Sequence, residues 1–244
     1  MLSHSTSVTI VGFGAFGRMI AAHLALHCAV SVYDRGLPPG QTPAQVRFLT
    51  GPQEICGDIV ILAVPVQAVA ECLREIAPHL RAGQMVVDVC SIKEEPARLM
   101  QAMLPEGVEI LATHPMFGPA SGRMGVAGLQ IVLCPLQGKG WRRLAVFLRR
   151  GLKLDVIVTT PEEHDRQAAM SQGLIHLLAH AVQTWGERPT IRTKSYDLFA
   201  EALAMVRDDA PEVFEAITQR NSHVATLREH LLQTMGPRPL APLE

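Results

Sequence analysis

Gly12-Phe13-Gly14-Ala15-Phe16-Gly17 is the stretch on which the fold turns. It matches G-x-G-x-x-G, a pattern that is weak alone because glycines also mark ordinary turns. Its neighbours supply the context. Residues 7–12 are a β-branched run leading into it, residues 16–27 have helical spacing, and residues 30–34 read as a second strand ending in Asp34, 22 positions after Gly12. Strand, glycine turn, helix, strand and acidic residue in that order make a dinucleotide-binding fingerprint and predict a Rossmann unit. The three glycines act differently. Gly12 permits the tight turn, Gly14 lets backbone approach a pyrophosphate, and Gly17 lets helix pack against strand. The helix N-terminus then offers N–H groups and a favourable dipole to the anion. Phe13, Ala15 and Phe16, lying between the glycines, complete the expected cofactor loop. Asp34 suits both ribose hydroxyls and repels a 2′-phosphate, which favours NAD. Arg35 beside it is suited to a 2′-phosphate, so NADP stays open. Val64 and Pro65, at the end of the next apolar run, and Ser91 further on are also expected to touch the cofactor.

Outward from this loop the chain keeps alternating short apolar runs with helical patterns, the sequence form of βαβ units. Residues 58–65 (DIVILAVP) are nearly all apolar, as expected for a strand covered on both faces. Residues 85–89, 108–113, 130–134 and 154–158 extend a parallel or mixed sheet. The Pro- and Gly-rich residues 36–50 read as a surface connection. The pattern changes at Thr160-Pro161-Glu162-Glu163, where Thr160 can cap a helix, Pro161 suits its first position and Glu163 can close a capping box. Residues 162–185 then read as one long helix, and 194–207 and 211–232 as two more. The expected organisation is α/β: a dinucleotide-binding domain over 1–160, a smaller all-helical domain over 161–235, and a disordered tail over 236–244.

Composition narrows the class. The 244 residues are 48% hydrophobic with a formal net charge of −1, enough for a substantial core. The scattered basic residues leave no electrostatic footprint for nucleic acid or a membrane surface. Five cysteines without a C-x-x-C pair argue against a disulfide framework or a zinc site and fit a reducing cytoplasm. No apolar run approaches the roughly 20 residues of a membrane span, and the N-terminus has no signal-peptide form.

Thr113-His114-Pro115-Met116-Phe117-Gly118-Pro119 is the second informative segment. His114 follows an apolar strand, at the edge where open α/β sheets bind ligands, and Pro115 and Pro119 stiffen the chain around it. A neutral imidazole there is suited to take a hydroxyl proton as hydride leaves the same carbon. The bland alternative is a histidine hydrogen-bonded within a turn.

This segment, followed by Ala120-Ser121-Gly122, resembles the HPMFGP signature of the prephenate and arogenate dehydrogenases of tyrosine biosynthesis. The resemblance extends to Asp88-Val89-Cys90-Ser91-Ile92-Lys93, similar to that family's D-x-x-S-x-K, and to Glu162-Glu163-His164-Asp165 followed by Gln172-x-x-x-His176. It implies His114 as catalytic base, Ser91 hydrogen-bonded to His114 and holding substrate, and Gln172 and His176 pointing into the substrate cleft. It also implies a homodimer through the helical domain. The implied chemistry is hydride transfer from a cyclohexadienyl acid to NAD(P) with loss of CO2, driven by aromatisation, with no metal.

Several residues have a second reading. Ser91-x-x-Glu94 is also a capping box on paper, but Pro96 would then fall where a helical N–H is needed. A start at Pro96 is therefore expected, with Ser91 free in the loop. Lys93 is expected either to face a substrate carboxylate or to be solvated. Gln172, His176 and His180 share one helix face, with His180 as a packing or surface residue. His164 and Asp165 have a structural reading in the helix's first turns. Prephenate-specific members carry a carboxylate-binding arginine six residues before a proline; aligning that proline with Pro211 puts Met205 there, and Arg207 falls on another face. Ser195-Tyr196-Asp197-Leu198-Phe199 instead resembles plant-type arogenate dehydrogenases. Two competing functions are a 3-hydroxyacid-type dehydrogenase, disfavoured because residues 162–185 hold no lysine, and a dinucleotide-binding regulatory protein without turnover.

Overall fold

The computed structural model describes residues 6–36, 46–122, 124–186, 189–207 and 209–236. Chain contacts divide it into two compact units, Met1–His164 and Asp165–Glu244. Of the expected tail, residues 237–244 lie outside the described residues.

The first unit is built on β1 (Ser7–Val11), β2 (Ala29–Tyr33), β3 (Val46–Phe48), β4 (Ile59–Leu62), β5 (Met85–Asp88), β6 (Glu109–Pro115), β7 (Gln130–Gln137) and β8 (Asp155–Val158). They form one sheet in the order β3-β2-β1-β4-β5-β6-β7-β8. Every pairing is parallel except β6 with β7. The chain winds outward from β1 through β2 to β3, then crosses back to β4 on β1's other side. That reversal is the switch point where α/β sheets bind ligands, and the glycine loop leaves the sheet there.

Helices α1 (Ala15–Leu24), α2 (Val69–Ile76), α3 (Glu94–Met103), the short α4 (Pro119–Gly122) and α5 (Trp141–Arg150) connect the strands. The two-residue period of the strands and the helical period meet in the core. Val8 and Ile10 of β1 enter a cluster with Leu24 of α1, Leu144 and Leu148 of α5, Leu111 of β6 and Leu133 of β7. Most of these strand residues are Val, Ile or Leu, whose branched side chains suit a sheet buried on both faces.

Three local expectations need correction. Residues 36–50 are not connection throughout, because Val46–Phe48 forms the edge strand β3, in register with Val30–Val32 of β2. α3 begins at Glu94 rather than Pro96. Pro96 is its third residue, within the first turn whose N–H groups have no intrahelical acceptor, so proline costs nothing there; Ser91 lies in the preceding loop. The strand carrying His114 runs on to Pro115, so the histidine stands in the antiparallel ladder opposite Val132 rather than in a loop.

α6 (Pro161–Ala168) starts as its sequence dictates, with Glu163 N–H donating to Thr160 Oγ1 at 3.3 Å. The chain stays helical through a π turn, Ala169–Gly173, into α7 (Leu174–Gln183). The second unit continues with α8 (Lys194–Ala204), capped by Thr193, then α9 (Pro211–Glu215), a second π turn (Ala216–Arg220) and α10 (Ser222–Met235). The single helix expected over 211–232 is interrupted. Asn221 adopts an extended conformation, caps α10 by accepting from His223 N–H at 3.0 Å, and donates to Asp165 O at 2.8 Å. Gly173 permits the close approach of α10: a Cβ there would lie 2.8 Å from Val224.

Candidate active site

The glycine loop has the geometry its sequence requires. Gly12 has φ +99°, and a Cβ on it would lie 2.4 Å from Ala63 O, so only glycine fits. A Cβ on Gly17 would lie 2.3 Å from Gly12 O, whereas one on Gly14 would meet nothing within 4 Å. The loop backbone is thus open at Gly14 and closed at its two ends. Among the described residues no side chain caps α1 and no acidic residue stands in its first turn, which leaves its N–H groups available to an anion. Ala15 begins the helix there. Phe13 is buried, its ring edge-on to Phe48 at 5.4 Å, so only its backbone faces the loop; its N–H donates to Asp34 Oδ2 at 2.6 Å. Asp34 Oδ1 accepts from Gly36 N–H at 2.8 Å. A cavity of about 290 Å³ beside the loop is lined by Gly12, Asp34, Arg35, Val64 and Pro65 among others.

A second, fully buried cluster forms at the ends of β5 and β6. Lys93 is completely inaccessible, and its Nζ donates to Asp88 Oδ2 and to Thr113 O. This corrects the expectation of a solvated Lys93, since its side chain meets no solvent. Its site is explained by Asp88: an unpaired carboxylate buried at this depth would be costly, and the ammonium offsets it. Asp88 also accepts from Cys90 N–H at 3.0 Å and from Thr113 N–H at 3.1 Å, while Thr113 Oγ1 donates to Asp88 O at 2.6 Å. These bonds lock the ends of the two strands together one residue before His114.

His114 is 3% exposed. Burial pushes its pKa well below the ordinary value of 6.5, and the neighbouring His164 and Lys93 push the same way, so His114 is neutral at neutral pH. Its Nδ1 lies 2.8 Å from Nε2 of His164, which is also buried. If Nδ1 donates, the lone pair sits on Nε2, the atom left to act as a base. Among the described residues no hydrogen bond joins Ser91 to His114. The partner is His164, fifty residues away in sequence, and the capping pattern around it concealed that role. The segment after His114 packs on α1: Phe117 lies 6.4 Å from Phe16 of the glycine loop, and His23 Nε2 is 3.1 Å from Gly122 O. Loop and histidine are thereby held in one framework.

Residues 52–157 match the family described as prephenate dehydrogenase, nucleotide-binding domain. Over 244 aligned residues the chain is 28% identical to arogenate dehydrogenase 2, chloroplastic, of Arabidopsis thaliana, covering 94% of this chain and 68% of that protein. The chain is thus similar to prephenate and arogenate dehydrogenases, with the family match lying over residues 52–157. A second relative, the "Probable arogenate/prephenate dehydrogenase" of Methanocaldococcus jannaschii, is 39% identical over 125 residues, 49% of this chain; the chain spans only 27% of its length. The fold is that of the prephenate dehydrogenase from A. aeolicus in complex with hydroxyphenyl propionate and NAD+, with a TM-score of 0.72 at 19% identity over 96% of this chain and 90% of that one. Synechocystis arogenate dehydrogenase superposes with a TM-score of 0.66 at 18% identity, covering 94% and 91%.

The helical unit carries the remaining candidates. His176 is buried, with Nδ1 2.8 Å from Gln172 O and Nε2 3.1 Å from Asp209 Oδ2. Gln172 Oε1 is a buried acceptor with no hydrogen-bond partner among the described residues, the condition of a group that awaits a donor. His180 is exposed and packs on Phe214 with ring centroids 5.2 Å apart. Met205 is exposed at the end of α8. Among the described residues no cluster of three or more metal-ligating side chains forms, and no helix is long and apolar enough to cross a membrane.

Proposed function

We propose that this chain oxidatively decarboxylates a cyclohexadienyl acid, arogenate or prephenate, passing hydride to NAD, with His114 as the base. The carrying observation is the neutral His114, buried in β6, backed by His164 and tied through the Phe117–Phe16 contact to the glycine loop. The open backbone at Gly14 and the uncapped start of α1 fit a dinucleotide pyrophosphate. Bound there, NAD supplies the hydride acceptor.

His114 Nε2 takes the proton of the ring hydroxyl at C4 as the C–H bond to that carbon gives up its hydride, and the C–O bond becomes a carbonyl. The C1–carboxylate bond then breaks, CO2 leaves, and the electron pair aromatises the ring and places charge on the C4 oxygen. That oxygen recovers the proton from His114. An imidazole whose charged form is disfavoured by burial and by Lys93 is a willing donor in this return step. The chain therefore positions groups and lends one proton site, while aromatisation supplies the driving force.

Ser91, in the loop between β5 and α3, and Gln172 and His176 of the helical unit are assigned to substrate. Gln172 Oε1 has an unmet need for a donor, which the amine of arogenate supplies and the keto group of prephenate does not. The exposed apolar residues Met170, Ile191, Leu198 and Leu232 of the helical unit support a homodimer formed through it. The free thiols support a reducing, cytoplasmic setting.

The test is NADH formation from arogenate and from prephenate in parallel, with NAD and with NADP. Turnover of arogenate with NAD is the expected result. Preferred turnover of prephenate removes the argument from Gln172, and silence with both acids overturns the catalytic reading.

A further inference from the structure

The residues around the end of β2 do more than the ribose-binding carboxylate requires. Arg35, the one cation among the described residues lining the cavity beside the glycine loop, is already engaged. Its Nη1 donates to Glu71 Oε1, and its Nε lies 3.8 Å from Glu75 Oε2. Glu71 and Glu75 stand one turn apart on α2, where they meet Arg35 and Tyr33. Glu75 reaches further: its Oε1 accepts from Tyr33 O–H, and both Tyr33 and Glu75 line the cavity with Asp34. The hydrogen bond to Arg35 and its charge hold Glu71 below the ordinary carboxylate range, with Arg74 adding to this. Tyr33 is pushed up to about 12, by burial first and then by Glu75.

We infer that Glu71 and Glu75 are specificity determinants that occupy Arg35 and so exclude NADP in favour of NAD. A 2′-phosphate needs the guanidinium. To obtain it, the phosphate must displace two carboxylates from Arg35 and then sit as a dianion beside them and beside Asp34. A ribose 2′-hydroxyl needs none of this, because Asp34 accepts its hydrogen bond directly. An arginine after the β2 carboxylate is therefore not evidence for NADP here, since its charge is spent within the chain. Discrimination works against the competing cofactor through like charge, in addition to any contact that favours NAD. This inference rests on the assignment of the cavity to a dinucleotide.

The test is fluorescence titration of NADH and NADPH into the wild-type protein, Glu71→Gln, Glu75→Gln and the double variant, with circular dichroism as the folding control. The double variant is expected to raise the NADPH-to-NADH affinity ratio by about tenfold or more, through two removed like charges. Adding Arg35→Leu to it should abolish the gain, and added salt should shrink it. A ratio unchanged in a folded double variant that binds NADH overturns the inference alone. Failure of every form, wild type included, to bind either cofactor overturns the cofactor assignment beneath it.

Discussion

The buried ends of β5 and β6 and the helical unit after Asp165 handle polarity in opposite ways. At the strand ends Asp88, Lys93, Thr113, His114 and His164 are buried and engage one another. Among the described residues the helical unit keeps a buried Gln172 Oε1 without a partner, two π turns, and exposed Met170, Ile191, Met205 and Leu232. The first region is completed by its own chain. The second has needs that a ligand or another copy would meet, and π turns are frequent at functional sites.

The comparison breaks first at His114. His114→Asn keeps the ring's approximate size and removes the base, so kcat should fall by about 10²–10⁴-fold while NADH titration shows binding retained. Joint loss of both would make the residue structural. Next in size is Lys93→Met, which strands Asp88 as an uncompensated buried charge. Urea unfolding should show a loss of about 3–5 kcal/mol, whereas an exposed lysine would cost almost nothing.

His164→Asn sharpens the picture at a finer scale. If His164 holds the tautomer of His114, kcat should drop about tenfold or more with KM little changed, consistent with roughly 1–3 kcal/mol for an unsatisfied buried donor. Equal effects on both parameters would point to general loosening. The smallest effect belongs to the helical unit: Asn221→Ala removes the α10 cap and the bond to Asp165, costing about 0.5–2 kcal/mol by urea unfolding with no direct effect on His114.

The legible and illegible parts of the chain follow the same physics. The glycine loop and most strands could be read because steric demands at Gly12 and Gly17 and the apolar period of the strands are local. β3 was hidden because three residues, Val46-Arg47-Phe48, give no period to detect within a Pro- and Gly-rich stretch. Asn221 was hidden inside a run of helical spacing, where only its second bond, to Asp165, shows why the helix stops. The solvated reading of Lys93 and the purely local reading of His164 failed for one shared reason. Their partners lie on other elements, and a lysine or a first-turn histidine is ordinarily satisfied by solvent or by its own helix.

The most direct test of the central claim, a neutral His114 acting as base, is the pH dependence of kcat/KM with arogenate and NAD. The folded value of His114 lies below the ordinary 6.5, so the base stays unprotonated, and active, as pH falls through that point. It is lost only on approach to the lower folded value. The account predicts a plateau that continues well below pH 6.5 before activity falls. An acid limb that bends at or above 6.5, and that His114→Asn leaves in place, would contradict it.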